Sequence, residues 1–488
     1  MTSSGLSLGI DLGTGSVKTV LLDRTGKQVC AGSAPVKLNS PRTGWVESDP
    51  EDWWAAVGSA VQQALNGRRA YEVVAIGLSG QMHGVVLCEQ DSTPLRPAVV
   101  SLDRRALADL SSYRMLTEDL LASLGNPLVP GAAGPILHWL ARHELPVLKR
   151  AAWALQPKDW LRLRLIEQAG SEPSDASGTL LFDLTANTWA WKVMDALGLP
   201  ASLLPPLGEP GRAAGKIGTS VASSLGLRAG VPVAFGAADT AAALLGTALP
   251  RRGAVQLTVG SAAQVLTLRE KPTPDHRLRY HVFASAEPGT WYALAAVQVA
   301  GVALSWVLEA FGASWEEAYR AIELSPPGSR GVLFVPHLAG ARSPRMDSAA
   351  TGGFFGIELA HNRADLLRAT FEGVAFSIAE AAEVLPEIAG VELIYLAGGG
   401  ALQPSWRQLL SDALGKRLLV VSNHNASAHG AALLGWQATD HKCNRSLPDV
   451  SGTVTPDEAS QERLAEAFGE WKTVAAKMTR SPQGQTPG

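Results

Sequence analysis

The N-terminal stretch decides the fold, because residues 7–23 read SLGIDLGTGSVKTVLLD. Residues 7–12 carry large apolar side chains at alternate positions and predict a buried strand, and residues 17–23 predict a second one. Between them, residues 13–16 form a short turn that contains two glycines. Two strands joined by such a turn make a β-hairpin, so we expect the chain to begin with one.

A second unit of strand, glycine turn and strand occurs at residues 254–268, with its turn at residues 260–263. It repeats the N-terminal pattern and is the internal repeat that predicts two related halves. We place the boundary near Gly246, which gives one domain of residues 1–246 and a second of residues 247–480.

The spacing of apolar residues predicts the other elements. Strands are predicted at residues 73–78, 85–87, 231–235 and 393–397. Helices are predicted at residues 106–124, 136–143, 158–167, 220–225, 240–249 and 404–414. The apolar run at residues 293–308 is shorter than the roughly 20 residues of a membrane-spanning helix, so we expect a buried core helix there. Residues 481–488 are rich in Pro, Gln and Gly and predict a flexible tail.

The composition argues against several classes of protein. The chain has 488 residues, more than one core usually covers, with 46% apolar and 18% charged residues, an ordinary globular balance. A net charge of -3 gives no overall basic field for nucleic acid or for an anionic membrane. The three cysteines lie far apart, so we expect neither a disulfide framework nor a zinc site. With no signal peptide at the N-terminus, the expected location is the cytoplasm.

Three glycine-rich turns are candidate phosphate-binding sites, because glycine lets backbone N–H groups approach an anion closely. Taken alone, each turn is explained as well by a plain turn between two elements. None of them matches the GxxxxGK[ST] loop or the GxGxxG dinucleotide fingerprint. The turns lie in three places along the chain, and the third precedes a predicted helix whose dipole adds positive character. The candidate residues are Gly13, Thr14, Gly15, Ser16, Gly260, Ser261, Gly398, Gly399 and Gly400.

Asp11 lies at the end of a strand whose other alternate residues are apolar. A buried carboxylate is costly unless it binds a cation or accepts hydrogen bonds. One interpretation is therefore a Mg²⁺ ligand, and the other is an Asp that caps its own turn.

Asp239 follows a predicted buried strand and is surrounded by small residues, FGAADTAA over residues 235–242. Such packing leaves room for a ligand at a strand end, where α/β proteins place their sites. A carboxylate there suits the work of a general base and, with Asp11, of a metal ligand. The alternative is that Asp239 only N-caps the helix that follows.

Polar residues also follow the strand at residues 73–78, in the stretch Gln81-Met82-His83. Met82 and His83 suit a sugar site, one through apolar contact and the other through a hydrogen bond. The alternative for His83 is a histidine of a turn with a structural role.

Several stretches in combination resemble the FGGY carbohydrate kinases over nearly the whole chain. Residues 9–14, GIDLGT, are similar to the first phosphate motif of that family, and residues 44–54, GWVESDPEDWW, to its next characteristic stretch. Residues 77–84, GLSGQMHG, resemble the sugar loop of the branch that acts on xylulose. The remaining similar stretches are residues 157–162, 174–179, 340–356, 396–400 and 406–408.

The resemblance implies an α/β fold with two actin-like ATPase domains, also called ribonuclease H-like, and a cleft between them. It implies that the N-terminal domain holds the sugar and that the C-terminal domain holds ATP with Mg²⁺. Asp239 would remove a proton from the terminal hydroxyl of a ketose, D-xylulose above others, to yield the 5-phosphate. The implied partners are thus a small ketose and ATP, with a homodimer as the expected assembly.

The chain departs from the family pattern at several positions near the expected sugar pocket. Thr240 stands where an amide side chain is usual, and Ser101 where a Trp is usual. Of the stretch that follows Ser101, Asp103 and Arg105 fit, so Asp103 joins Gln81, Met82, His83, Asp239 and Thr240 as an expected substrate-binding residue. Two alternatives follow from these departures. One is a kinase for another ketose or polyol, such as ribulose, and the other is an actin-fold ATP binder without sugar transfer.

Overall fold

The computed structural model describes residues 5–68, 70–249, 253–421, 425–439 and 450–479. The predicted tail at residues 481–488 lies outside the described residues. The strands of the first half are β1 (Leu6–Leu12), β2 (Ser16–Leu22), β3 (Gln28–Pro35), β4 (Glu47–Ser48), β5 (Val73–Gly80), β6 (Val86–Cys88), β7 (Ala98–Val99), β8 (Trp153–Leu155), β9 (Phe182–Asp183), β10 (Thr188–Trp189), β11 (Ala213–Lys216), β12 (Pro232–Ala234) and β13 (Ala237–Ala238).

The second half contributes a further set of strands. They are β14 (Val255–Val259), β15 (Ala263–Arg269), β16 (His281–Ala284), β17 (Trp291–Val297), β18 (Leu333–Val335), β19 (Gly353–Phe355), β20 (Leu393–Ala397), β21 (Arg417–Val421) and β22 (Val450–Val454).

Two large sheets have the same topology. In the first, the strand order is β3-β2-β1-β5-β12, with β11 beyond β12 and β13 beside β5. In the second, β17-β15-β14-β20-β21 repeats that order, and β16 and β22 extend the two edges. Each sheet contains an antiparallel hairpin, β1-β2 or β14-β15, whose first strand pairs in parallel with a later strand, β5 or β20. The predicted hairpin and the predicted repeat are confirmed, and the fold class is α/β. The boundary near Gly246 stays a prediction.

Helices cover both sheets. They are α1 (Pro50–Leu65), α2 (Leu110–Arg114), α3 (Glu118–Leu124), α4 (Ala133–His143), α5 (Leu145–Arg150), α6 (Pro157–Ile166), α7 (Pro173–Ala176), α8 (Trp191–Ala196), α9 (Thr219–Leu225), α10 (Asp239–Gly246), α11 (Gly301–Phe311), α12 (Trp315–Leu324), α13 (Arg363–Glu383), α14 (Pro404–Leu414), α15 (Ala426–Gln437) and α16 (Glu458–Lys477). Among the described residues, no helix is long and apolar enough to span a membrane.

The single helix predicted at residues 106–124 is wrong. The chain forms two short helices instead, because α2 ends at Arg114 and Thr117 takes an extended backbone, with ψ at 155°, before α3 begins. Buried residues such as Leu110, Tyr113 and Leu124 keep a spacing compatible with a helix across this break. Periodicity alone therefore does not reveal it.

The buried helix predicted at residues 293–308 is also wrong, since this run divides into the strand β17 and the helix α11. β17 lies between β15 and β16 and is buried on both faces, so its side chains show no alternation of apolar and polar residues. The helix begins at Gly301, where the backbone passes close to the turn at Gly260. A Cβ on Gly301 would lie 2.6 Å from the carbonyl oxygen of Gly260.

Helix α15 comes from the second half of the sequence but packs on the first sheet, against β1, β5 and helix α10. Glycines make this approach possible. A Cβ on Gly77 would lie 1.7 Å from the carbonyl oxygen of Ala431, and one on Gly9 would lie 2.0 Å from another carbonyl oxygen of α15. On the helix itself, a Cβ on Gly430 would lie 1.8 Å from the carbonyl oxygen of Ala242. We call this contact the glycine seam; it joins the two halves of the chain.

We predict that Gly77→Ala destabilises the protein by about 1–3 kcal/mol, because the added methyl group must push α15 away from the sheet. The midpoint of urea unfolding checks this. Gly58→Ala is the matched control, because nothing lies within 4 Å of a Cβ at this position in the middle of α1. It should leave the midpoint unchanged or raise it, since alanine favours a helix over glycine. Equal midpoints for Gly77→Ala and the wild type would contradict the close contact.

Candidate active site

The carboxyl ends of three neighbouring strands bring the two predicted acidic residues to one edge of the first sheet. Asp11 lies near the end of β1 and is in register with Ser79 of β5. Ser79 is in turn opposite Ala237 of β13, and Asp239 begins α10 two residues later. Ligand sites of open α/β sheets lie at such strand ends.

Asp11 is 9% exposed and accepts a hydrogen bond from the hydroxyl of Ser79 at 3.1 Å. Burial, and then the negative charge of Asp239, raise the pKa of Asp11 to about 7. The hydrogen bond from Ser79 and the charge of Lys18 act in the opposite direction. The carboxylate is therefore poorly stabilised as an anion by the protein alone.

Lys18 is a residue of this site that the sequence did not predict. It is the cross-strand partner of Asp11 in the first hairpin. Directly opposite residues of an antiparallel pair lie on the same face of the sheet. The tight turn between β1 and β2 is the signal that could have found Lys18, because the length of the turn sets which residues face each other.

Asp239 is the first residue of α10, and the N-cap of this helix is Ala238. The alternative prediction, that Asp239 is only the N-cap, is therefore wrong. The Oδ1 of Asp239 accepts hydrogen bonds from the backbone N–H of Thr240 at 2.5 Å and from the hydroxyl of Thr240 at 3.1 Å. Burial raises the pKa of Asp239 against these hydrogen bonds, which lower it. Thr240, an expected sugar ligand, thus turns its hydroxyl toward the candidate base.

A polar cavity of about 190 Å³ joins the two halves of the chain at Asp11. Lys18 lines it from the first half, and Gly398 and Gly399 line it from the turn after β20. Gly398 has a φ of +96°, and a Cβ there would lie 2.3 Å from the carbonyl oxygen of Val259, so only glycine fits this turn. The other lining residues are Ala243, Thr247, Gln256, Thr258, Ala397, Asn425, Ala426 and Ser427.

The other residues of the predicted phosphate turns are not among those that line this cavity. In the first turn, which also holds Thr14 and Gly15, the N–H of Gly13 donates to the carbonyl of Ser16 at 3.1 Å and closes the hairpin. In the second turn, the carbonyl of Gly260 accepts from Gly301 and that of Ser261 accepts from Ala300, so the turn is fastened to the start of α11. Gly400 packs against Val259. Their part in binding phosphate stays a prediction.

Gln81 follows β5 directly and is 3% exposed. Its Oε1 accepts a hydrogen bond from the hydroxyl of Thr14 at 3.2 Å, whereas its Nε2 has no hydrogen-bond partner among the described residues. Leaving such a donor unpaired costs about 1–3 kcal/mol. A ligand with an oxygen at this position would remove that cost.

His83 keeps its imidazole neutral. The Nδ1 lies 2.5 Å from the carbonyl oxygen of Gly178, so this nitrogen carries the proton and the Nε2 is left as an acceptor. Burial is the main cause that lowers the pKa of His83 to about 4, and the charge of Arg342 adds to it. Next to it, the Sδ of Met82 accepts a hydrogen bond from the hydroxyl of Tyr292 at 3.4 Å.

Two aromatic side chains from the second sheet, those of His281 and Phe283, lie near His83. The sequence did not predict that they belong to this region. His281 stacks on Phe283 with ring centroids 5.4 Å apart, and Phe283 contacts His83 edge-on at 6.2 Å. The Nε2 of the buried His281 has no partner among the described residues. Burial and the charge of Arg342 hold the pKa of His281 well below its usual value. These residues lie on β16, which no local motif marks.

Asp103, an expected substrate-binding residue, is buried and has both carboxylate oxygens occupied by hydrogen bonds within the protein. It is 1% exposed, and its two oxygens accept hydrogen bonds from Arg105 and from the backbone N–H of Val46. Arg105 also pairs with Glu47 at 2.7 Å. The geometry favours a bracing role for Asp103, and its contact with a substrate stays a prediction.

Asp11 and Asp239 fit a magnesium ion. In the described parts of the chain, no group of three or more His, Cys, Asp or Glu side chains forms a metal site by itself. Mg²⁺, however, is commonly held by one or two carboxylates together with nucleotide phosphates. Both pKa values are raised, so each carboxylate would be stabilised by a nearby cation.

Comparisons with known proteins show the family to which the chain belongs. Residues 6–246 match the N-terminal domain of the FGGY family of carbohydrate kinases, and residues 255–439 match its C-terminal domain. The xylulose kinase of Bacillus subtilis is 30% identical over 478 residues, with 96% of each chain covered. The gluconokinase of the same organism is 26% identical and covers 88% of this chain and 87% of its own. A crystal structure of a xyloylose kinase from Brucella ovis is 30% identical and has a TM-score of 0.88, and the match covers 97% of this chain and 99% of that one.

The fold and the matched domains define a two-domain sugar-phosphorylating enzyme. The chain belongs to the FGGY family of carbohydrate kinases. The resemblance described from the sequence is thereby confirmed, and membership implies ATP as the co-substrate.

We predict that the ring of His83 stays neutral until about pH 4, because the buried site disfavours its charged form. Since this pKa is depressed on folding, His83 adds stability above about pH 6.5, and this contribution is lost as the pH falls toward 4. Two-dimensional NMR of the histidine ring signals, assigned with His83→Gln, measures the titration. A midpoint near the ordinary value of about 6.5 would contradict the buried setting.

Proposed function

We propose that this carbohydrate kinase transfers the γ-phosphate of ATP to the terminal hydroxyl of D-xylulose and so forms D-xylulose 5-phosphate. The observation that carries the proposal is the meeting of Asp11 and Asp239 at one sheet edge, beside a polar cavity that ends at Gly398 and Gly399. The relatives named xylulose kinase, one of them aligned over 96% of this chain, support the choice of sugar.

Asp239 acts as the general base. Burial raises its pKa and makes it a better proton acceptor than an ordinary aspartate, and a nearby cation would favour its anionic form. The hydrogen bonds from Thr240 occupy Oδ1, so Oδ2 is the oxygen that would take the proton of the attacking hydroxyl.

Asp11, Lys18 and the turn at Gly398–Gly399 form the phosphate side of the site. Backbone N–H groups of the glycine turn suit phosphate oxygens, and Lys18 adds a positive charge on the same cavity wall. When bound to Asp11 and Asp239, Mg²⁺ would neutralise charge on the phosphates. These residues position the nucleotide, and phosphoryl transfer depends mostly on such positioning and on charge neutralisation.

The sugar side consists of Gln81, Met82 and His83. The unpaired Nε2 of Gln81 offers a donor, and the Nε2 of neutral His83 offers an acceptor. A polyhydroxy compound supplies the matching groups, because each hydroxyl both donates and accepts. This combination favours a neutral sugar.

A kinase for another ketose, a polyol or a sugar acid is the second candidate. Gluconokinase relatives share most of the chain, and Thr240 departs from the residue usual next to the base. Family membership weighs against the alternative of an ATP binder without sugar transfer.

We predict that Asp239→Ala lowers kcat for sugar phosphorylation by about 10²–10⁴-fold, because no other group takes the proton. ATP binding, measured by equilibrium titration in the absence of Mg²⁺, should stay within about twofold, since the change removes no group from the glycine turns. Asp195→Ala, at an exposed position of the same half, is the matched control and should behave like the wild type. A variant Asp239→Ala with a comparable kcat would show that the base is another residue.

The choice of sugar is tested by a panel of D-xylulose, D-ribulose, gluconate and glycerol, with ADP release as the assay. We expect D-xylulose to have the highest kcat/KM, the quantity on which substrates compete. If ribulose or gluconate exceeded xylulose by about tenfold, the kinase assignment would stand and the sugar assignment would be wrong.

A further inference from the structure

Two serine hydroxyls hold the main chain on either side of the Asp239 side chain. The Oγ of Ser174 accepts the backbone N–H of Ala238 at 2.9 Å. The Oγ of Ser427 donates to the backbone carbonyl of Asp239 at 3.1 Å. Neither serine has a part in the chemistry proposed above, and they come from different halves of the chain.

The hydroxyl of Ser174 has a fixed direction. Ser174 is fully buried in α7, and its Oγ donates to the Oε1 of Glu172 at 2.9 Å. With its proton engaged there, the oxygen turns a lone pair toward the N–H of Ala238. Glu172 is itself held, because it accepts the backbone N–H groups of Ser174 at 2.7 Å and of Asp175 at 3.0 Å.

A buried cluster of charges anchors Glu172. The Nζ of Lys158 lies 2.5 Å from Asp159, 3.5 Å from Glu172 and 3.4 Å from Asp175, and all four side chains are removed from water. Groups in such a cluster are fixed strongly, because each unpaired charge would be costly in the interior.

Arg162 extends this cluster to the chain that leads to the base. It pairs with Asp159 at 2.9 Å and donates to the backbone carbonyl of Phe235 at 2.7 Å. Arg162 therefore holds the start of the segment between β12 and α10 at Phe235, and Ser174 holds its end at Ala238.

Ser427 approaches from the other side. It lies in the first turn of α15, the helix of the glycine seam, and it lines the cavity that also contains Asp11 and Gly398. Its hydrogen bond to the carbonyl of Asp239 thus connects the wall of the nucleotide cavity to the residue that carries the base.

We infer that Ser174 and Ser427 are positioning residues that align the Asp239 carboxylate with the attacking hydroxyl. The inference rests on the proposed function, since it takes Asp239 as the base. A base that is misplaced by a fraction of an ångström slows proton transfer and leaves the binding of both substrates intact. Ser174 acts from the sugar-binding half, and Ser427 makes the alignment depend on contact between the halves.

The test compares Ser174→Ala and Ser427→Ala with the wild type in steady-state kinetics. We expect kcat to fall by about 10- to 100-fold in each, as for a misplaced catalytic group. The KM for the sugar should change by less than about twofold, since neither hydroxyl belongs to the proposed sugar contacts. Ser427→Thr keeps the hydroxyl and should restore most of kcat.

Ser171→Ala is the matched control. Its hydroxyl donates to the Oδ2 of Asp159 at 2.5 Å, so the variant also removes a buried hydroxyl from the same cluster. Ser171 has no hydrogen bond to Ala238 or Asp239, and its loss should lower Tm with kcat within about twofold of the wild type.

Several results would overturn the inference. A folded Ser174→Ala with kcat within about twofold of the wild type would remove Ser174 from this role. Equal losses of kcat in Ser171→Ala and Ser174→Ala would mean that the cluster only stabilises the fold. If Ser174→Ala does not fold, the pair Ser427→Ala and Ser427→Thr decides, and equal kcat values for these two would refute the role. Activity retained by Asp239→Ala would instead refute the proposed function, so the two failures are distinguishable.

Discussion

The glycine seam is the contact on which the rest of the site depends. Helix α15 lies so close to β1, β5 and α10 that a single methyl group at Gly9, Gly77 or Gly430 would collide with a backbone carbonyl. Because interiors are close-packed and yield little, this approach fixes where α15 stands relative to the first sheet. The start of α15 then brings Ser427 into contact with Asp239, the proposed base. It also places that serine on the cavity shared by Asp11 and Gly398.

The buried charges near Asp11 and Asp239 are energetically unfavourable in the protein alone. Asp11 and Asp239 are carboxylates whose pKa values are raised by burial, and they repel each other. In the buried cluster that supports this part of the chain, the carboxylates of Asp159, Glu172 and Asp175 pair with the cations Lys158 and Arg162. Perturbed groups of this kind concentrate at functional sites, where they are arranged for binding or for proton transfer rather than for stability. The same arrangement gives the main chain near Asp239 its rigid support.

The proposed sugar side differs from the phosphate side, since it offers neutral groups. Burial lowers the pKa of His83 and of His281 and so favours their neutral forms, and the amide nitrogen of Gln81 has no partner within the described chain. A polyhydroxy ligand can satisfy such groups without carrying a charge into the cleft. In the proposed site, the two sides therefore separate an electrostatic task, which concerns phosphate, from a hydrogen-bonding task, which concerns the sugar.

The sequence by itself determined the hairpin at residues 7–23, its repeat at residues 254–268, the strand β20 and the helix α14, because these follow from local turns and from the periodicity of short segments. Only the tertiary structure decided that residues 293–308 divide into β17 and α11, since burial on both faces erases the strand period. It also decided which residues meet across long distances in the chain, such as Asp103 with Val46 and Ser427 with Asp239. Such contacts depend on register and on helix packing, which no local pattern of residues encodes.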